Sequence, residues 1–475
     1  MDTTIDEKPT KKGKLKHPPG LYLLFITEMW ERYSYYGMRS ILVLYLTAEL
    51  ISGGLGMEQD KALMLYGMYT GLVYFTPLIG GYLTDKFIGL RTAITIGGIT
   101  MAIGDFTLFA VQEQWGLYLG LLLLIVGNGF FKPNISTLVG ELYSKNDKRK
   151  DSAFTIFYMG INLGGLISPL IAGLLYANVF YSNTGGVETF GFKYAFLASS
   201  IGMIIGQVTF NLLSKKYLGD VGRTPSSNRV IPTAEGKAKP LTKIEKQRTA
   251  VILILAVFTV TFWAGFEQAG ASFTLYTRDF LDRTVFGYEV PVSFFQSLNP
   301  MFVLLLAPIV SALWLKLAKS KRGDFAIPTK MAFGLILLGV GFMVMVPAVM
   351  MTGSDEGNIA VKASMLFMVV TYFFHTLGEL SLSPIGLSLV SKMSPVKIAS
   401  LLMGVWFLSN AAANYLAGYI ASLTTSAGYL EIFIYLGIAA LSLGIILLLL
   451  SKKLQKLMHL EEFEEEQTVK KASTF

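Results

Sequence analysis

Phe25-Ile26-Thr27-Glu28-Met29-Trp30-Glu31-Arg32-Tyr33-Ser34-Tyr35-Tyr36-Gly37-Met38-Arg39 sets four charges inside an apolar segment that runs from Leu21 to about Ala48. On a helix Glu28, Arg32, Tyr35, Tyr36 and Arg39 recur at three- and four-residue steps and form one polar stripe, with Glu31 at its border. A soluble helix carries such charges on its outer face, but these flanks are apolar all round and the segment is long enough to cross a bilayer. The stripe must face protein or a water-filled cavity, and the fold must be one that supplies it.

The rest of the chain agrees. Of 475 residues, 53% are hydrophobic and only 15% charged, against about 25% charged in soluble domains, which marks a polytopic membrane protein. Cysteine is absent, which excludes a disulfide framework, thiolate chemistry and Cys-based metal sites. The net charge of +8 suggests nucleic acid only until it is mapped. Most Lys and Arg fall in alternate loops between apolar spans, so the charge reads as topology and no nucleic-acid partner is expected. Lys8, Lys11, Lys12, Lys14 and Lys16 imitate the basic region of a signal peptide, yet the run behind them is too long, carries Glu and Arg, and lacks a small-residue cleavage site. It reads as a retained first helix.

Apolar stretches of spanning length lie at about 21–48, 60–83, 91–110, 116–140, 150–177, 192–213, 248–276, 292–317, 326–350, 361–390, 398–422 and 428–451. With both termini cytoplasmic, the inside segments hold 32 Lys and Arg, and the outside only Lys61, Lys193, Arg278, Arg283 and Lys362. The positive-inside rule then fixes the orientation. The organisation expected is a cytoplasmic tail over 1–20, a six-helix bundle over 21–213, a polar cytoplasmic linker over 214–247, a second six-helix bundle over 248–453 and a cytoplasmic tail over 454–475. The acidic run Glu461, Glu462, Glu464, Glu465 and Glu466 reads as a solvated or disordered end. At the end of the linker, Thr242 with Glu245 forms a capping box and predicts a helical extension of the seventh span.

The halves are faintly self-similar. Phe157-Tyr158 with Asn162 aligns with Val405-Trp406 and Asn410; Pro133-Asn134-Ile135-Ser136-Thr137-Leu138-Val139 aligns with Pro384-Ile385-Gly386-Leu387-Ser388-Leu389-Val390; Glu31 and Glu267 lie at similar depths. A six-plus-six duplication places a site between the halves. Eight ionisable residues sit within spans: Glu28, Glu31, Arg32, Arg39, Asp105, Lys132, Glu267 and Glu379. At about 2.5–3.5 kcal/mol each, exposing them all to lipid would cost roughly 20–28 kcal/mol, more than the about 5–15 kcal/mol of a domain's net stability. Structural ion pairs locking helices are the plain explanation. However, all but Asp105 lie in spans one, four, seven and ten, which are equivalent under the duplication, and a ring of equivalent helices around a cavity accounts for that. A structural or water-facing role is expected for Asp105.

Breakers stand beside the charges: Lys132-Pro133, Pro384 after Glu379, Gly37 between Arg32 and Arg39, Asn299-Pro300, and Pro77 with Gly80-Gly81. They permit bending where helices line a cavity, although Gly and Pro also serve ordinary packing in membranes. Tyr35, Tyr36, Tyr74, Asn134, Tyr158, Asn162, Asn299 and Trp406 add polar and aromatic character, and His375 stands one turn before Glu379. Asn134-Ile135-Ser136 matches a glycosylation sequon but lies inside span four and is discounted. No metal-spaced His cluster, G-x-S-x-G or P-loop is present, so neither an enzyme nor ATP-driven transport is expected. Uphill movement must draw on an ion gradient, with carboxylates as the proton-binding groups.

Two stretches carry a resemblance. Gly80-Gly81-Tyr82-Leu83-Thr84-Asp85-Lys86-Phe87-Ile88-Gly89-Leu90-Arg91 resembles the loop signature of the major facilitator superfamily. Glu28-x-x-Glu31-Arg32 with Ser34-Tyr35-Tyr36-Gly37-Met38-Arg39, together with Phe157-Tyr158-x-x-Ile161-Asn162-x-Gly164, resembles the proton-dependent oligopeptide transporter family. Phe262-Trp263-x-x-Phe266-Glu267-Gln268 and Gly378-Glu379-Leu380-x-x-Ser383-Pro384 agree with its seventh and tenth helices. The resemblance runs from Pro18 to about Lys453.

It implies an all-α major facilitator fold of twelve helices in two bundles, acting as a proton-coupled symporter of di- and tripeptides by alternating access. By the same resemblance, Arg39 and Lys132 hold the peptide carboxylate, Glu379 with Asn162 and Asn299 takes the amine, and Tyr35, Tyr36, Tyr74 and Trp406 line side-chain pockets, with Asn134 among the substrate contacts. Glu28, Glu31, Arg32 and Glu267 serve proton coupling. Arg39–Glu267 and Lys132–Glu379 pairs are expected to bridge the halves, to be loosened by proton or peptide. The proton is the only coupling agent, with no cofactor and no metal; a monomer in a bacterial inner membrane is expected. The chain departs from many bacterial members in lacking two extra helices between the halves, and from animal members in lacking a large external domain and in having glycine near Gly67 where they use histidine. Alternatives are transport of another small solute, such as nitrate or an amino-acid-like metabolite, and a non-transporting peptide sensor or channel.

Overall fold

A computed structural model describes residues 16–144, 147, 149–225, 241–320, 323–353, 361–395 and 398–459. The basic residues Lys8 to Lys14, linker positions 226–240 and the acidic run after Lys453 lie outside the described residues, as do the side chains around Pro384. Among the described residues, twelve long helices follow one another: α1 Pro19–Thr47, α2 Gln59–Leu83, α3 Leu90–Ala110, α4 Gln114–Glu141, α5 Lys150–Leu174, α6 Phe192–Leu218, α7 Lys243–Phe266, α8 Leu298–Ala318, α9 Ile327–Thr352, α10 Leu366–Met393, α11 Ala399–Ser422 and α12 Tyr429–Met458. Among the described residues, nine of the helices are long and apolar enough to cross a membrane. α1 stands outside that set because it carries Glu28, Glu31, Arg32 and Arg39.

Several helices outrun the apolar spans. α6 continues to Leu218 with Lys215 and Lys216 in its last turn, where cations favour the dipole. α7 begins at Lys243, and there Thr242 accepts from the Glu245 N–H while the Glu245 side chain accepts from the Thr242 N–H. Hydrogen bonding carries a helix past the edge of its hydrophobic stretch.

The packing repeats. α1 lies against α5 and α6, α3 against α4 and α6, and α2 against α4; six helices later α7 lies against α11 and α12, α9 against α10 and α12, and α8 against α10. Each half has its own apolar core, one centred on α1 to α6 and one on α7 to α12. Across the halves α2 meets α11 and α5 meets α8, two contacts that exchange under the same six-helix shift. At Gly67 and Gly418 the two backbones meet, and a Cβ on Gly67 would stand 2.6 Å from the Gly418 Cα. Only two glycines allow this approach of backbones.

Small strands not anticipated from the hydropathy cap the opposite end from the ends of the described chain. Ser182–Thr184 pairs with Val187–Thr189 across Gly185-Gly186, and Thr284–Val285 pairs with Tyr288–Glu289 across Phe286-Gly287. All four turn residues have positive φ, between 49° and 85°, as two-residue hairpins require. Gly-Gly was the legible signal for the first; Phe286 concealed the second.

Candidate functional site

Between the halves lies a cavity of about 820 Å³. It runs from Trp263 and Glu267 at mid-depth, past Tyr74, Lys132 and Trp406, to Ser136 and Thr137 near the end of α4 and to Ser394 and Ala399 where α10 gives way to α11. That mouth is on the face where the described chain ends come together. His17 shares a 2.8 Å hydrogen bond with Tyr143 just past α4, and Arg248 at the start of α7 donates to the Met458 and His459 carbonyls.

The stripe on α1 has become a buried ion cluster. Arg32 Nη2 donates to Glu31 Oε1 at 2.7 Å, its Nε also pairs with Glu31, and Glu28 Oε1 lies 3.2 Å from Nε. Glu31 is wholly buried and Glu28 and Arg32 nearly so, while Glu28 Oε2 has no partner. Two carboxylates share one guanidinium, which leaves the group one proton short of neutrality. Arg32 also lies over the Tyr35 ring at 5.2 Å. Behind the cluster, fully buried Asp105 accepts from Ser34 Oγ at 2.5 Å and ties α3 to α1, a structural position away from the cavity.

Arg39 leaves the same helix two turns later and forms an ion pair with Glu267 across the halves. Its Nε donates to the Tyr66 hydroxyl at 2.6 Å, and its guanidinium lies 5.9 Å from the Tyr36 ring. α7 changes to a 3₁₀ turn over Glu267–Gly270 before a short helix, Ser272–Phe280, continues the span. A Cβ on Gly270 would stand 1.9 Å from the Tyr66 hydroxyl oxygen. Glycine at that position therefore makes room for the Arg39–Tyr66 contact. Tyr66 is a member of the site that reading the sequence missed; it lies a turn or two before Thr70 and Tyr74 on α2, and that repeat was its only signal.

The second expected bridge is not formed. Lys132 Nζ instead lies 3.8 Å from the centre of the Tyr74 ring, and Glu379 Oε2 accepts from Asn299 Nδ2 at 2.7 Å, with Tyr158 against the same carboxylate. Asn162 donates back to the Tyr158 carbonyl at 2.9 Å and also touches the Tyr158 side chain. So Glu379, Asn299, Tyr158 and Asn162 form one group, and Tyr74, Lys132, Trp406 and Glu267 another on the cavity wall. Lys132 and Glu379 are apart because the mouth between α4 and α10 is open.

Asn134 falls elsewhere than expected, and His375 takes a place that the sequence left open. Asn134 is buried and donates to Thr84 Oγ1 at 2.9 Å and the Phe130 carbonyl at 2.6 Å, so its amide holds α4 to the end of α2 and does not line the cavity. The reason is angular: Asn134 lies two positions beyond Lys132, on the opposite side of α4. His375 packs among Phe342, Phe273 and Phe266, with ring centres 4.9, 5.7 and 6.4 Å away. It belongs to the aromatic core of the second half. Trp263, Asn410 and Asn414 line the cavity without having been assigned to it.

Away from the mouth the halves are sealed. Ser293 donates to the Pro169 carbonyl and Ser297 to the Leu166 carbonyl, both at 2.8 Å, and Arg278 reaches Thr47 at 2.8 Å. The protein is thus closed at one end and open at the other.

Comparison with known proteins agrees with this architecture. The sequence profile described as "POT family" matches residues 91–228 and 226–433. The chain is 36% identical to "Uncharacterized transporter YclF" of Bacillus subtilis, over 96% of this chain and 98% of that protein. It is 32% identical to "Peptide transporter YePEPT" of Yersinia enterocolitica, over 88% and 90%. A crystal structure of a peptide transporter POT in complex with alafosfalin superposes with a TM-score of 0.84 at 33% identity, covering 94% of this chain and 97% of that one. One of a POT family transporter in complex with 5-aminolevulinic acid gives 0.83 at 30%, covering 94% and 98%. With the profile spanning more than half the chain and the relatives nearly all of it, this protein is a multi-pass membrane transporter that belongs to the POT family.

Proposed function

We propose that the chain is a proton-coupled symporter that imports di- and tripeptides by alternating access. One observation carries the reading: a cavity between two halves with the Lys132 ammonium on its wall from one half and the Glu267 carboxylate on its wall from the other, Glu267 pairing with Arg39. A short peptide is a dipole of matching sense, carboxylate at one end and ammonium at the other. Named relatives of Lactococcus lactis are di-/tripeptide transporters at 32% and 31% identity, and the bound 5-aminolevulinic acid of a related structure is likewise an amine joined to a carboxylate.

In this reading Lys132 and Arg39 receive the carboxylate, Glu379 with Asn299 and Asn162 receives the amine, and Tyr35, Tyr36, Tyr74 and Trp406 surround the side chains. Glu28, Glu31 and Arg32 hold or release the coupling proton, and protonating Glu267 frees Arg39. The closed end is external and the open mouth cytoplasmic, since the basic loops and the ends of the described chain share the side of the mouth, as the positive-inside rule demands. The membrane is then a bacterial inner membrane, the proton is the only coupling agent, and no cofactor takes part. A proton moving inward gains about 2.3 kcal/mol per 100 mV.

Uptake of labelled dialanine into proteoliposomes tests this. Accumulation above equilibrium is expected only with an inward proton gradient and a negative-inside potential, and unlabelled di- and tripeptides should suppress it. A folded protein that moves no dialanine under any gradient would refute the reading.

A further inference from the structure

A second chamber, of about 570 Å³, lies at the sealed end, where the end of α1, the Ser182–Thr189 hairpin and the Thr284–Glu289 hairpin meet. Its size is within the range of small-molecule sites, roughly 300–1,000 Å³. The N-terminal half contributes an aromatic wall, with Tyr176 stacked on Phe192 at 5.0 Å, and the exposed carboxylate of Glu188, which accepts from the Tyr181 hydroxyl at 2.8 Å. The C-terminal half contributes Arg283 and Glu289.

Arg283 is the unusual member. Its side chain is only 12% exposed, Nη1 donates to the Val290 carbonyl at 2.5 Å and Nη2 to Glu289 at 2.5 Å, and Nε has no partner. A buried donor left unmade costs about 1–3 kcal/mol. Glu289, by contrast, is 67% exposed and can turn into water at little cost. Released from it, Nη2 offers a charged donor to a carboxylate in the chamber. Glu188 and the displaced Glu289 then stand at the rim as acceptors for a cation.

We propose that this chamber is an outer capture site for a zwitterionic short peptide, its carboxylate on Arg283 and its ammonium on Glu188 and Glu289, filled while the main cavity faces the other side. The inference rests on the peptide reading above. Because each half supplies part of the chamber, parting of the halves dismantles it and delivers its occupant to the seam that leads to Arg39 and Glu267.

The test separates the two faces of the membrane. Dialanine uptake is measured in intact cells and, from the opposite face, in inside-out vesicles, for the unaltered chain, Arg283→Gln and Glu188→Gln. Each variant should raise the apparent KM in cells by about tenfold, leaving the KM in vesicles and the maximal rate in both unchanged. A fall in maximal rate on both faces with unaltered KM would assign Arg283 to hairpin architecture alone and overturn the site. Unaltered KM in cells for Glu188→Gln, whose exposed side chain carries no folding burden, would overturn it too. If the unaltered chain moves no dialanine in either preparation, the peptide reading itself fails first.

Discussion

Glu28, Glu31 and Arg32 form a cluster that is closed to water and holds one more carboxylate than cation, a composition suited to taking up a proton and giving it back. Replacing Glu28 or Glu31 by Gln fixes the neutral form. Each variant should lose accumulation of dialanine above equilibrium and retain peptide counterflow, and measurement of both in the same proteoliposomes decides it; driven accumulation that survives in both variants would remove the cluster from coupling. The corner beside the mouth behaves differently. Hydrogen bonds from the Arg149 side chain hold the Asp147 carboxyl below its ordinary value of 3.8, and Arg149 also donates to the Lys16 carbonyl at 2.6 Å. Burial pushes the Tyr143 phenol up to about 12. A depressed carboxyl contributes stability that is complete above its unfolded pKa and lost as pH falls through the folded one. Between pH 5 and 8 Asp147 and Tyr143 therefore keep their protonation states. Hydrogen exchange in the first turn of α5 should be accelerated in Asp147→Asn at neutral pH, and exchange at the wild-type rate in that variant would take Asp147 out of the stability of this corner.

At the scale of elements, closure depends on helices that approach without side chains between them. Gly67 of α2 and Gly418 of α11 are the clearest case, since a Cβ on Gly418 would stand 2.4 Å from the Gly67 Cα. Both helices keep their packing inside their own halves, α2 on α4 and α11 on α7, so an added methyl group should spoil the contact between halves and leave each bundle folded. Gly67→Ala and Gly418→Ala are predicted to lower dialanine uptake at least about tenfold, a barrier change of about 1.4 kcal/mol or more, within the usual cost of overpacking. Spin labels on α2 and α11 should show a wider separation at the sealed end. An unaltered separation would mean that these glycines serve folding and not the gate.

The whole molecule is two similar bundles that touch along α2–α11 and α5–α8, and its state is read from which pairs across the seam are made. Arg39–Glu267 is made and Lys132–Glu379 is not. The chain has no cysteine, which makes the seam directly testable. A Cβ at Gly173 would lie 2.5 Å from Ser293 Oγ, so Gly173→Cys with Ser293→Cys places two thiols on opposite halves within bridging range. Oxidation should trap the sealed end shut and abolish uptake, and a reductant should restore it. Peptide binding from the mouth side should persist in the oxidised protein. Uptake that continues after complete oxidation would exclude separation of the halves at this seam as the transport motion.

Much of this was legible in the residues. Hydropathy and helical period are local properties, so the twelve helices, the polar stripe of α1, the gathering of charges on spans one, four, seven and ten, and the capping box at Thr242 follow from the chain taken a window at a time. The partner that a buried side chain chooses is not local. Tyr66 and Gly270 complete the Arg39 site because a 3₁₀ turn in α7 brings them together, Asn134 turns toward Thr84 because of its angle on α4, and Lys132 leaves Glu379 because the two helices have parted at the mouth. One sequence must serve both the open and the closed arrangement, so it specifies the groups that can pair; the packing of the two halves in a given state decides which of them do.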